Sequence, residues 1–94
     1  MSEQDAQSRI TWDKPTYEKF LKILEQIPDL IRGIAETRVS KKAEGIIRQD
    51  NRWVIAEQDM VEAFFAETPP GFIGPMKTSM QELGIDYTQY GFGK

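Results

Sequence analysis

The chain reads as an all-α domain, a small bundle of three main helices and a shorter fourth with an extended C-terminal tail. Three observations predict this. Apolar residues recur at helical spacing in successive runs, the clearest being Tyr17, Phe20, Leu21 and Leu24. Strong breakers separate the runs, first at Pro28 and then at Thr68-Pro69-Pro70-Gly71. The one extended stretch between helices, Arg52-Trp53-Val54-Ile55, is too short for a sheet of its own and reads as a packed connector.

Ninety-four residues make one small domain. A chain of this size buries a modest share of its surface, so stability is marginal unless a partner adds burial. The net charge of −3 is mild and predicts neither repulsion of nucleic acid nor a general affinity for it. The sequence holds no cysteine and no histidine. Disulfides, thiolate metal sites, iron–sulfur ligation, thiol nucleophiles and the usual neutral-pH general base are therefore excluded. Carboxylate and hydroxyl chemistry remain, and no cofactor is expected. The polar stretch Met1 to Thr11 lacks the apolar core of a signal peptide. No run is long enough to span a bilayer, so a cytoplasmic protein is expected.

Residues 1–11 read as a disordered tail, being polar and rich in small residues. Asp13 is a good N-cap for a first helix from about Lys14 to Gln26, with Pro15 in the first turn and Trp12 as a hydrophobic staple against Tyr17 or a nearby residue. The apolar face combines Tyr17, Phe20, Leu21 and Leu24, with Ile23 at its edge. Pro28 ends that helix and suits the first turn of the next, which runs to about Gln49. Its stripe is Ile31, Ile34, Ala35, Val39, Ala43, Ile46 and Ile47. Gly33 and Gly45 lie inside it, and a helical glycine often marks the close crossing of another backbone. Asn51 suits a left-handed helix ending. A third helix runs from near Ala56 to about Glu67, with Met60, Val61, Phe64 and Phe65 on its apolar face. Phe72 and Ile73 fall in a loop, Gly74-Pro75 opens a fourth helix, and Gly84 closes it with Ile85 as the following apolar contact.

Glu57, Asp59 and Glu62 are the candidate acid/base groups, yet carboxylates in a first helical turn are explained by the positive end of the helix. The second helix carries Arg38, Lys42 and Arg48, candidate anion contacts, but Glu36 and Glu44 are interleaved with them as on a solvated face. Nucleic acid is accordingly the alternative partner rather than the leading one. Arg32, at the edge of the stripe, is expected to bond a carboxylate or a helix C-terminus. Trp53, Phe64, Phe65, Phe72, Met76 and Met80 offer a flat apolar lining, with the core as their ordinary destination. Phe72, Ile73, Tyr87, Tyr90 and Phe92 are too apolar for free loops. Either they fold back over the helices or they dock on another chain.

Trp12, Ile27-Pro28, Arg32-Gly33, Ala43, Trp53-Val54-Ile55 and the helix holding Asp59, Met60, Val61 and Ala63 together resemble a known family. It is the small C-terminal domain of the B subunit of light-independent protochlorophyllide reductase, often called the PCP-reductase domain, which also occurs as short stand-alone bacterial proteins. The resemblance covers residues 12–67, and its structural motif is Trp12, Ile27, Pro28, Arg32, Gly33 and Trp53. Two departures stand out: Ala56 replaces the family's Ser, Thr or Asp cap, and residues 68–94 extend beyond the family's core. The parent enzyme's chemistry lies in nitrogenase-like domains with an iron–sulfur cluster, for which this chain has no cysteine. The resemblance implies a non-catalytic accessory module beside a larger redox or tetrapyrrole-related enzyme. The aromatic 68–94 extension, whose role the family does not supply, is expected to be its docking segment. The alternatives are a nucleic-acid-binding domain using the second helix, and a tetrapyrrole-binding protein in which Arg32 or Lys42 meets a propionate.

Overall fold

The first helix starts at a cap that the sequence supplies. In the computed structural model, which describes residues 9–93, Asp13 accepts hydrogen bonds from the Thr16 amide at 3.3 Å and its hydroxyl at 2.7 Å. From there α1 runs over Lys14–Glu25. Trp12 stacks on Phe20 with ring centroids 4.5 Å apart and tilts against Tyr17 at 5.6 Å, which fixes the angle of entry. Residues 1–8 of the tail expected over 1–11 lie outside the described residues. Thr11 belongs to the fold: Thr11–Trp12, here β1, pairs in parallel with β2, Val54–Ile55. This short ladder was not foreseen for the connector. It ties the entry to α1 directly to the entry to the third helix.

α2 spans Asp29–Gln49. Its ending is a Schellman motif: Asn51 sits at φ 57°, the Arg52 amide donates to Ile47 at 2.8 Å, and the Asn51 amide donates to Arg48 at 3.1 Å. α3 spans Glu57–Glu67 and starts at Ala56, which has no side-chain oxygen to cap it. Asp59 supplies the compensation by accepting from the Ala56 amide at 2.9 Å. A 3-10 turn at Pro70–Phe72 leads into α4, Ile73–Glu82. Phe72 and Ile73 therefore belong to a turn and a helix start, not to a free loop. A second Schellman ending closes α4, with Gly84 at φ +77° and the Ile85 amide donating to Met80 at 2.9 Å. The last 3-10 turn is Tyr87–Tyr90.

The core lies between α1, the second half of α2, and α3, and is closed by α4 and the tail. Phe20, Ile23, Leu24, Val39, Ala43, Ile47, Met60, Phe64 and Met80 are buried in it. The apolar face of α1 is rotated from the expected one. Thr16 and Ile23 are inside, while Tyr17 and Leu21 are partly exposed. In α2 only the later part of the stripe is covered. Ile31 and Ile34 face outward, and Leu30 is 93% exposed. Helix length explains this: 21 residues reach about 31 Å, whereas the 12 of α1 and 11 of α3 reach only about 18 and 16 Å. The first turns of α2 outrun their neighbours.

The tail folds back. Tyr87 is buried, Phe92 stacks on Phe65 at 4.9 Å, and Tyr87 tilts against Phe65 at 5.6 Å. Tyr87, Tyr90 and Phe92 are thus spent on this chain's own core. The expectation that they form a free docking segment is corrected.

Candidate functional site

The Ile27-Pro28 elbow is held by one side chain. α1 ends with carbonyls that have no helical partner, and its C-terminal end carries partial negative charge. The Arg32 guanidinium, one turn into α2, meets both needs. Its Nε donates to Leu24 at 2.9 Å and to Ile27 at 3.2 Å, and its Nη2 donates to Ile27 at 3.0 Å and Glu25 at 3.2 Å. Asp29 pairs with the same group at 2.9 Å. Only a planar fork reaches several carbonyls at once. Arg32 is therefore committed to the elbow and is not placed to meet a propionate. Gly33 marks no close crossing within the chain: a Cβ at that position, or at Gly45, would meet nothing within 4 Å.

Below this elbow lies an apolar groove of about 620 Å³. Ile31 and Ile34 of α2 form one wall, Phe72 and Met76 the other, and Phe64 and Ile23 the floor. The α4 wall is tied to the end of α1, where the Ser79 hydroxyl donates to the Gln26 side chain. The Thr68 hydroxyl donates to Met76 Sδ at 3.2 Å. Arg38 and Glu67 are the charged members of the lining. Of the lining, Ile34 and Phe72 are 56% and 51% exposed, and Leu30, the sequence neighbour of Ile31, is 93% exposed, an apolar concentration unusual for a surface that meets only water.

The other sequence-predicted residues are dispersed. Of the aromatic and methionine set, Phe64, Phe72 and Met76 line the groove, while Phe65 and Met80 belong to the core region and Trp53 exposes its indole at the far end. What Trp53 gives the fold is its carbonyl, which accepts from Thr11 at 2.9 Å. Ile73 packs against the core beside the groove. Arg38 and Lys42 lie one turn apart on α2, and Arg48 is engaged with Glu44 at 3.7 Å. The structure does not bring Arg38, Lys42 and Arg48 into one patch, because Arg48 lies six residues beyond Lys42, roughly 120° around the helix from it and about 9 Å along the axis.

Two of the acids at the start of α3, Glu57 and Asp59, are engaged in holding the fold. Asp59 is 2% exposed and takes a bidentate pair from Arg52 at 2.6 and 2.9 Å, besides the Ala56 amide. Those hydrogen bonds, with a further one to Asp50, raise the Arg52 pKa and hold its charge. Glu57 accepts from Lys19 at 2.7 Å and from the Tyr90 hydroxyl at 2.9 Å. Desolvation, reinforced by Glu57, pushes the Tyr90 phenol up to about 12. These groups clamp α1, α3 and the tail together. Among the described residues no group of three or more acidic side chains is placed to hold a metal ion, and no helix is long and apolar enough to cross a membrane.

The fold and this groove define a small all-α domain whose open apolar face lies at the α1–α2 elbow. No family model, no curated protein and no solved structure matches the chain.

Proposed function

We propose that this chain is a non-catalytic interaction module that docks a protein at the elbow groove. The observation that carries the reading is an apolar cleft with Ile34 and Phe72 exposed in its lining and the exposed Leu30 one residue from Ile31 of its wall, in a domain too small to leave such surface idle. Glu57 and Asp59, the most engaged acids, are occupied by Lys19, Tyr90, Arg52 and the Ala56 amide, which leaves the groove as the feature without an internal role. The resemblance of residues 12–67 to the PCP-reductase domain adds the proposal that the partner belongs to a redox or tetrapyrrole-related complex, in a cytoplasmic setting.

Co-purification tests the reading. A tagged chain should retain its protein partner, and Leu30→Glu with Phe72→Glu should release it while helical content stays unchanged. Retention by the double variant would contradict the proposal.

A further inference from the structure

We infer that the elbow groove takes an acidic amphipathic helix of a partner protein, about three turns long, laid along the start of α2. The inference rests on the reading of the groove as a protein-docking surface and names the chemistry of its occupant.

A single ridge argues for a helix. Ile31, Ala35, Val39, Ala43 and Ile47 follow one another at i+4 along α2, the spacing by which one helix interlocks with another. The last three are buried, in the part of α2 that packs against α3. Ile31 and Ala35 line the groove with Ile34 beside them, and Ile31 and Ile34 are exposed. One ridge is thus covered by a helix of this chain at its far end and left open at its start. The C-terminal end of α3 points at the open part, since Phe64, Glu67 and Thr68 also line the groove. Pro69-Pro70 stops α3 before it could cover the ridge itself.

The open stretch has the length of a short helix. α2 outreaches α1 and α3 by about 13–15 Å, which corresponds to about three turns. Leu30, Ile31, Ile34 and Phe72 together expose on the order of half the 800 Å² or so per partner that a standard interface buries. That area is too small to join two folded domains. It suits one helix seated in a groove by a single apolar stripe.

Charge sets the sign of the partner. Counting about 100° per residue from Ile31, the residues Ile34, Ala35, Arg38 and Lys42 fall within about 60° to either side, and Asp29, Glu36 and Glu44 about 140–220° round. The groove side of α2 therefore carries cations and no acid, and the three acids of α2 lie on its far side. Among the described residues neither Arg38 nor Lys42 is in an ion pair. Glu67, the last residue of α3, is the one acid of the groove lining. The complement is a helix with acids facing Arg38 and Lys42 and apolar residues facing Ile31, Ile34 and Phe72. Residues 1–8 cannot supply it, since Met1 and Ala6 are their only apolar residues.

Selection from a library of random peptides about 15 residues long, enough for three turns and their caps, tests the inference with the full chain as target. The enriched peptides should place apolar residues at i, i+3, i+4 and i+7, carry net negative charge and become helical on binding. Ile34→Glu should weaken such a peptide at least tenfold while the chain's circular dichroism stays unchanged. Arg38→Glu with Lys42→Glu, both exposed, should weaken it as much, and exchanging the peptide's acids for lysines should then restore binding. Leu21→Glu, exposed on α1 outside the groove lining, should leave the affinity intact. Enriched peptides without helical spacing, a basic consensus, binding that survives Ile34→Glu, or no enrichment at all overturns the inference. A wild type that sediments as two chains, and as one after Ile34→Glu, also overturns it, the groove then being filled by a second copy. If the tagged chain still retains a protein through Leu30 and Phe72 while the selected peptides are extended or uncharged, the acidic helix falls and the docking surface stands.

Discussion

Arg32 Nε lies 2.9 Å from the carbonyl oxygen of Leu24, so the first turns of α2 cap the last turn of α1 from eight residues downstream. This bond sets the angle of the elbow, and with it the separation of the groove walls. It also explains why a helix can open with exposed Leu30 and Ile34 and still be well positioned: the guanidinium, rather than apolar packing, anchors its start.

Removing that anchor should be costly in a particular way. Arg32→Met should lower unfolding stability by about 1–2 kcal/mol, less than a fully buried charged set would give because the side chain is partly exposed. Arg32→Lys should recover little, since an ammonium has no planar fork. Urea denaturation checks both; a lysine variant as stable as the wild type would show that charge alone suffices.

Arg52 and Asp59 form the complementary lock at the start of α3. Arg52→Met should lower stability measurably, because it leaves the Asp59 carboxylate, whose side chain is only 3% exposed, without its cation. Replacing both by apolar residues should recover part of the loss, because no lone carboxylate is then left inside. Double-variant denaturation measures this, and additive losses would count against it.

The tail reports on itself through Tyr90. Its folded pKa, pushed up to about 12, lies above the ordinary tyrosine value of about 10. The neutral phenol is thus the form the fold favours. Its contribution is complete below about pH 10 and is lost as the pH rises through about 12. Titration of tyrosinate absorbance should show a late component that Tyr90→Phe removes. A wild-type titration with all tyrosines near pH 10 would refute the Glu57 contact.

Gly93 holds the tail's last bend at φ +78°, where an added Cβ would overlap the Tyr87 ring. Gly93→Ala should undock the end of the chain at a cost of about 1–2 kcal/mol, without unfolding the helices. Faster hydrogen exchange confined to the residues after Ile85 would show it; unchanged exchange there would contradict it.

Much of the fold was legible in the sequence because its signals are local. Asp13, Asn51 and Gly84 act at the caps through their own chemistry. What periodicity did not show was which part of a stripe has a neighbour: Ile31 and Ile34 fit the apolar face of α2 as well as Val39 and Ala43 do, yet α1 and α3 are too short to cover them. The pairing of Thr11–Trp12 with Val54–Ile55 was missed because two residues carry no period. The candidate site was legible only in pieces. Arg32 and Phe72 stood out by type, but the groove joins residues from Ile23 to Ser79, and no spacing announces a cleft made by four helices. The tail aromatics misled because burial on a distant Phe65 leaves no mark on the local sequence.

The central claim is that this protein meets its partner at the elbow. Photo-crosslinking in the native cell tests it most directly, with the reactive side chain placed at Ile34 in one chain and at Leu21, exposed on α1 but outside the groove, in another. The account predicts a discrete protein adduct from position 34 and little from position 21. Equal adducts from both positions, or none from position 34, would contradict it.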